Sequence, residues 1–117
     1  MSEERIVRVY LEDILDAARK AQEFSVGLSL EEFEADEKTI YAVVRALEIV
    51  GEAAKQVPSG MRDRAPDIPW RSMTGMRDKL IHAYAGVDLK VVWRTIHDEL
   101  PGVVAGVESL LRLLEED

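Results

Sequence analysis

Residues 69–84 read PWRSMTGMRDKLIHAY, and the period of this stretch sets the fold class. At about 100° per residue, Trp70, Met73, Leu80, Ile81 and Tyr84 share one stripe, which is the pattern of an amphipathic helix. Pro69 suits its first turn, where a missing N–H has no helical partner to lose. Arg77 falls in the middle of the stripe. A guanidinium among tryptophan, methionine, leucine and isoleucine is costly unless it is paired or faces a polar cleft. Two readings stay open: a buried tie to a carboxylate such as Asp13 or Glu48, or an anion-binding arginine in a groove or interface.

Working outward, three further segments carry helical spacing and none carries a convincing strand pattern. In residues 4–24 the stripe is Ile6, Val9, Tyr10, Ile14, Ala17, Ala21 and Phe24, and Asp13 within it is read as a carboxylate reaching out at the bundle edge. Residues 27–29 break the pattern, and Leu30-Glu31-Glu32-Phe33 leads into a second helix over 36–57. Asp36 is its N-cap, and the acidic first turn suits the helix dipole. Its apolar face is Ile40, Val43, Val44, Leu47, Val50, Gly51 and Ala54, with Gly51 placed to allow a close helix crossing. Pro58-Ser59-Gly60 stops that helix, and an irregular loop runs to Ile68. Gly86 ends the helix over 69–84, Asp88 caps a last helix over 89–114, and Pro101-Gly102 should kink or divide it near Leu100. The expected fold is all-α, a four- to five-helix antiparallel bundle forming a single domain over residues 1–117.

The chain has 117 residues, enough for one core. It has no cysteine, which excludes disulfides, thiolate metal sites and cysteine nucleophiles and fits a reducing compartment. There is no apolar run of membrane-spanning length, and MSEERIVRVY is too charged for a signal peptide, so a cytoplasmic protein is expected. The net charge of −8 is the wrong sign for a generic nucleic-acid binder. It is unevenly spread: residues 61–94 hold seven Lys/Arg against four Asp, a net of +3, so the remainder carries −11. Such an island can attract phosphate while the acidic body repels nonspecific polyanions, or it is simply a basic loop.

The residues able to do chemistry cluster in the same stretch. His82 follows Arg77 by five positions, about 140° around an ideal helix, so the two do not share a face within one chain. Arg71, Gly75 and Asp78 lie on the side of His82, and Tyr84 on that of Arg77. His97 and Trp93, one turn apart, are read as packing residues. Two histidines without cysteine make a poor metal site, and no phosphate loop, dinucleotide fingerprint or serine-hydrolase elbow is present. What remains is a cation for phosphate, an imidazole for proton transfer, and neighbouring hydroxyl and carboxylate groups. Cofactor-free RNA cleavage can use that set, with Arg71 and Lys79 as candidate contacts for RNA phosphate. One imidazole serves one role at a time, and a two-fold dimer would bring two into one cleft.

The string Arg77-Asp78-Lys79-Leu80-Ile81-His82-Ala83-Tyr84 resembles the R-x(4)-H-x-Y motif of HEPN domains, specifically the HepT-like toxins. Gly51-Glu52-Ala53, Ile68-Pro69-Trp70, Gly75-Met76-Arg77-Asp78, Val87-Asp88, Val92-Trp93 and Leu100-Pro101 stand in the order of that family. The resemblance implies a dimeric HEPN-like bundle with the active cleft at its interface, and a metal-independent endoribonuclease toxin of a toxin–antitoxin system. It also implies Arg77 and His82 as catalytic residues and Asp78 as the supporting polar residue. The implied partner is an MntA-like nucleotidyltransferase antitoxin that transfers AMP from ATP onto Tyr84. Two other readings fit the residues: a non-catalytic helical subunit that positions substrate for a two-component nucleotidyltransferase, or a structural dimer with Arg77 tied to Asp13 or Glu48.

Overall fold

The computed structural model describes residues 3–84 and 88–116, and for residues 81–84 the backbone alone. Among these residues every regular element is helical. Helix α1, Glu3–Ser25, buries Val7, Leu11, Ile14, Ala17, Ala18 and Ala21. This arc is turned from the stripe expected above, because α1 packs against both α3 and α8 and the core centres between them. Ile6, Val9 and Phe24, expected inside, are exposed, and Asp13 points outward as expected. The turn after α1 needs a left-handed residue, which Gly27 supplies at φ 79°.

Helix α2, Leu30–Ala35, is a separate element rather than a lead into the next helix. Ser29 and Glu32 close a capping box around its first turn: Glu32 N–H donates to Ser29 Oγ at 3.1 Å, and Ser29 N–H donates to Glu32 Oε1 at 2.9 Å. Phe33 is fully buried and anchors this short piece. Helix α3, Glu37–Gln56, starts at Asp36, whose carboxylate accepts from the Thr39 N–H and hydroxyl. Its buried side, including Val43, Val44, Leu47, Val50, Gly51 and Ala54, matches the predicted face.

After α3 the segment to Ile68 is not wholly irregular, since Ser59–Arg62 forms one turn, α4. Arg62 Nε donates to the Val57 carbonyl at 2.9 Å, and Trp70 Nε1 to the Ala65 carbonyl at 3.0 Å, so both side chains hold the connection by its own backbone. The helix predicted over 69–84 is two helices: α5, Trp70–Thr74, and α6, Met76–Tyr84. Gly75 separates them with φ −84° and ψ 1°.

Helix α7, Leu89–Arg94, follows Asp88, which takes the N-cap position without a side-chain capping bond. The predicted terminator Gly86 lies outside the described residues. The expected break near Leu100 takes the form of a π turn, Thr95–Glu99, before helix α8, Leu100–Glu116. Proline lacks an N–H and its ring crowds the carbonyl four residues back, here that of His97. The widened π turn relieves that conflict, with the Leu100 N–H donating to the Thr95 carbonyl. The Thr95 hydroxyl donates to the Val91 carbonyl at 2.8 Å, a back-bond of the kind that bends helices. Helix α8 lies antiparallel to α1, with Arg8 paired to Glu115 and Arg19 to Glu108. Half-buried Trp93 packs its ring 5.3 Å from Phe33 and 4.1 Å from exposed His97, the packing role expected for the pair.

Candidate functional site

Helix α6 is held against α3 by a crossing at Gly51. A Cβ there would lie 3.0 Å from the Met73 carbonyl oxygen, 3.3 Å from Met76 Cβ and 4.0 Å from the Arg77 nitrogen. Met76 and Leu80 fill the buried side of α6. The break at Gly75 removes the continuous helix on which Arg77 seemed to sit mid-stripe. Arg77 is exposed, at the edge of a groove of about 240 Å³ lined by Glu48, Gly51, Glu52, Lys55 and Gln56 of α3.

Of the two readings left open for Arg77, the tie to Asp13 or Glu48 is not formed. Glu48 and Glu52 instead reach Arg45, at 3.4 and 3.9 Å. Asp13 lines a neighbouring hollow with Tyr10, Ile49, Ala53, Glu52 and Gln56. Neither Arg77 nor Lys55 makes an ion pair with a described residue. The groove thus holds two cations, Arg77 and Lys55, beside two carboxylates, Glu48 and Glu52, that share the exposed Arg45, so Arg77 keeps its guanidinium open to solvent and available to an anion.

The remaining predicted residues are spread around α5 and α6. Asp78 is exposed beside Arg77. Arg71 is exposed on α5 and lines a different hollow, with Arg62, Asp63, Pro66, Trp70 and others. His82 and Tyr84 lie on the last turn of α6, and their side chains are outside the described residues. Lys79 is drawn into a polar triangle rather than left open to phosphate. Its Nζ donates to Ser72 Oγ at 2.9 Å and to Glu99 Oε2 at 3.5 Å, and Ser72 Oγ donates to Glu99 Oε1 at 2.6 Å. Burial pushes the Glu99 carboxyl up, but the Ser72 hydroxyl and the Lys79 ammonium outweigh it and hold the group below its ordinary range. Lys55, Ser72 and Glu99 were not singled out by sequence. Only Pro101, marking a disturbed helix beside Glu99, hinted at any of them.

Among the described residues no three His, Asp or Glu side chains gather where they could share a metal ion. No described helix is long and apolar enough to cross a membrane.

Residues 14–110 match the family described as ribonuclease HepT-like. The chain belongs to the HepT-like ribonuclease family. A Thermococcus cleftensis protein named "Probable ribonuclease HepT" is 48% identical over 101 residues, covering 86% of this chain and 92% of the relative. A Methanocaldococcus jannaschii protein named "Putative RNase MJ0125" is 40% identical over 112 residues, covering 96% and 97%. A Caldanaerobacter subterraneus protein named "Putative RNase TTE0752" is 42% identical over 105 residues, covering 90% and 94%. No solved structure matches the chain. Membership in the HepT-like family makes the chain an endoribonuclease, and Arg77, His82 and Tyr84 all lie on α6, within the matched residues.

Proposed function

We propose that this endoribonuclease is the toxin of a toxin–antitoxin pair and cleaves RNA without a metal ion, with Arg77 and His82 as its catalytic residues. The observation that carries the reading is the exposed Arg77 guanidinium, at the edge of a groove and without an ion pair to a described residue. In the reaction, a ribose 2′-oxygen attacks the adjacent phosphorus and loses its proton to a base. The P–O5′ bond breaks, the 5′-oxygen takes up a proton, and a 2′,3′-cyclic phosphate remains. Arg77 stabilises the negative charge that builds on the phosphoryl oxygens, His82 moves the proton, and Asp78 is the supporting polar residue next to the arginine. Arg71, exposed on α5 and lining a separate hollow, steers flanking phosphates.

The working unit is a homodimer, which supplies one imidazole as base and another as acid. Exposed Ile6 and Val9 on α1, near Tyr10 and Asp13 at the adjoining hollow, are the apolar surface that would support it. The partner is a nucleotidyltransferase antitoxin of the MntA-like type. The Tyr84 phenol oxygen attacks the α-phosphorus of ATP, pyrophosphate leaves, the phenolic proton is lost, and AMP stays on the tyrosine. The added phosphate repels RNA from the cleft.

Purified protein is expected to cleave single-stranded RNA in EDTA, and His82→Ala to remove that cleavage. Equal cleavage by the variant would discard the assignment. Incubation with ATP and the antitoxin should raise the intact mass in steps of AMP, and Tyr84→Phe should abolish the gain.

A further inference from the structure

We propose that Glu99, Ser72 and Lys79 form a positioning clamp that fixes the angle of α6 and thereby aims Arg77 at the scissile phosphate; this rests on the ribonuclease reading above. The three residues come from three elements, the π turn, α5 and α6. Their hydrogen bonds close a triangle: each carboxylate oxygen of Glu99 accepts one bond, and the Ser72 hydroxyl donates to Glu99 while accepting from Lys79. Lys79 and Glu99 are each about one-third exposed and 3.5 Å apart, so solvent screens part of their attraction, and the shorter bonds through Ser72, at 2.6 and 2.9 Å, do most of the holding.

Placement gives the triangle its purpose. Helix α6 joins α5 through Gly75 alone, and the Lys79–Ser72 bond spans that joint. Lys79 stands two residues after Arg77, about 200° around the helix. Held there, α6 is gripped on the side away from the groove, and Arg77 keeps its own side open. Glu99 reaches this position through the π turn, which carries one more residue per hydrogen-bonded turn than an α-helix. Lys79 is thus a positioning residue for the reaction, and the groove's second cation toward phosphate is Lys55.

The test is steady-state cleavage of a single-stranded RNA oligonucleotide by the purified full chain. Four variants are compared: Glu99→Gln, Lys79→Met, Lys55→Ala, and the exchange Lys79→Glu with Glu99→Lys. A displacement near 1 Å at a reacting group can cost about a hundredfold, so a partial loosening is expected to lower kcat about tenfold in Glu99→Gln and Lys79→Met. KM should stay within about twofold in both, and the exchange should bring kcat back to within about threefold of the parent. Lys55→Ala should instead raise KM, the signature of a lost phosphate contact. A Lys79→Met variant that behaves like Lys55→Ala, with kcat unchanged in Glu99→Gln and no recovery in the exchange, would overturn the clamp.

Amide hydrogen exchange supplies a second readout independent of cleavage. Residues 76–84 should exchange faster in both single variants and slow again in the exchange variant, while α1 stays protected throughout. Unaltered exchange over 76–84 would equally overturn the clamp. A parent protein that cleaves no RNA would count against the ribonuclease reading, with the exchange pattern still deciding the clamp.

Discussion

Replacing Gly51 by alanine adds one methyl group where α3 crosses the junction of α5 and α6. The new Cβ would stand 3.0 Å from the Met73 carbonyl oxygen and 3.3 Å from Met76 Cβ, both closer than ordinary van der Waals contact. The first neighbour is backbone and the second is the root of a buried side chain, so neither can swing aside. Relief has to come from moving α5 and α6 away from α3. Helix propensity favours alanine by about 1 kcal/mol. Overpacking a close contact costs about 1–3 kcal/mol. The balance is a loss of about 0–2 kcal/mol, or a Tm lower by up to roughly 10 °C for a chain of this size. The larger effect falls on cleavage, because the helix that must shift carries Arg77. We expect kcat to fall about tenfold or more, out of proportion to the small stability change. Gly102→Ala is the comparison, since nothing lies within 4 Å of its added Cβ. Thermal unfolding and RNA cleavage kinetics on both variants decide the matter. A Gly51→Ala protein that is more stable than its parent and cleaves normally would mean that propensity wins and the crossing is looser than described.

Arg77→Ala should lower cleavage about a hundredfold or more while leaving stability within about 0.5 kcal/mol, since the side chain is exposed and ties nothing together; Arg77→Lys keeps the charge but not the fork and should recover little. A large loss of stability in Arg77→Ala would show that the arginine holds the fold instead. Ser29→Ala removes the capping box of α2 and should cost about 1 kcal/mol in urea unfolding without altering cleavage. Stability should also fall in acid. The carboxyls of Glu32, held by the Ser29 backbone and hydroxyl, and of Asp36, held by the Thr39 hydroxyl and N–H, sit below their ordinary values, as does Glu99. The unfolded chain therefore takes up protons first as pH drops below about 4.5, and the stabilisation present at neutral pH is lost as each folded-state value is passed. Urea midpoints that hold steady from about pH 5 to about pH 2 would contradict this.

The helical class and most of the α3 core face were legible because residues 36–57 repeat apolar side chains at a single period. The cap at Asp36 and the stop at Pro58 were equally plain. Helix α1 misled because it is apolar on more than one side. Ile6, Val9 and Phe24 extend a stripe as well as Val7, Leu11 and Ala18 do, and only the neighbours α3 and α8 select between them. Helix α2 had its signal in Ser29 and Glu32, but six residues are too few to show a period. The split at Gly75 escaped because counting by 100° assumes an unbroken helix, and that assumption put Arg77 in the middle of an apolar stripe, where a buried tie and an open groove both stayed possible. The motif itself was readable as a string of residues on one helix. The groove facing Arg77 was not, since its lining comes from α3, more than twenty residues earlier. Glu99 was hidden for the same reason, standing twenty positions from Lys79.

The two tryptophans make the molecule its own optical instrument. Trp70 is buried and bonded to the connection between α3 and α5, while Trp93 is half-buried between Phe33 and His97 at the entrance to the π turn. Each indole thus samples a different region, and a Trp→Phe change at one leaves the other as the single tryptophan, read apart from the three tyrosines by excitation at the red edge of the indole band. Fluorescence of Trp93 would follow the π turn, and that of Trp70 the approach to α5, so RNA or an antitoxin could be watched arriving without any attached label.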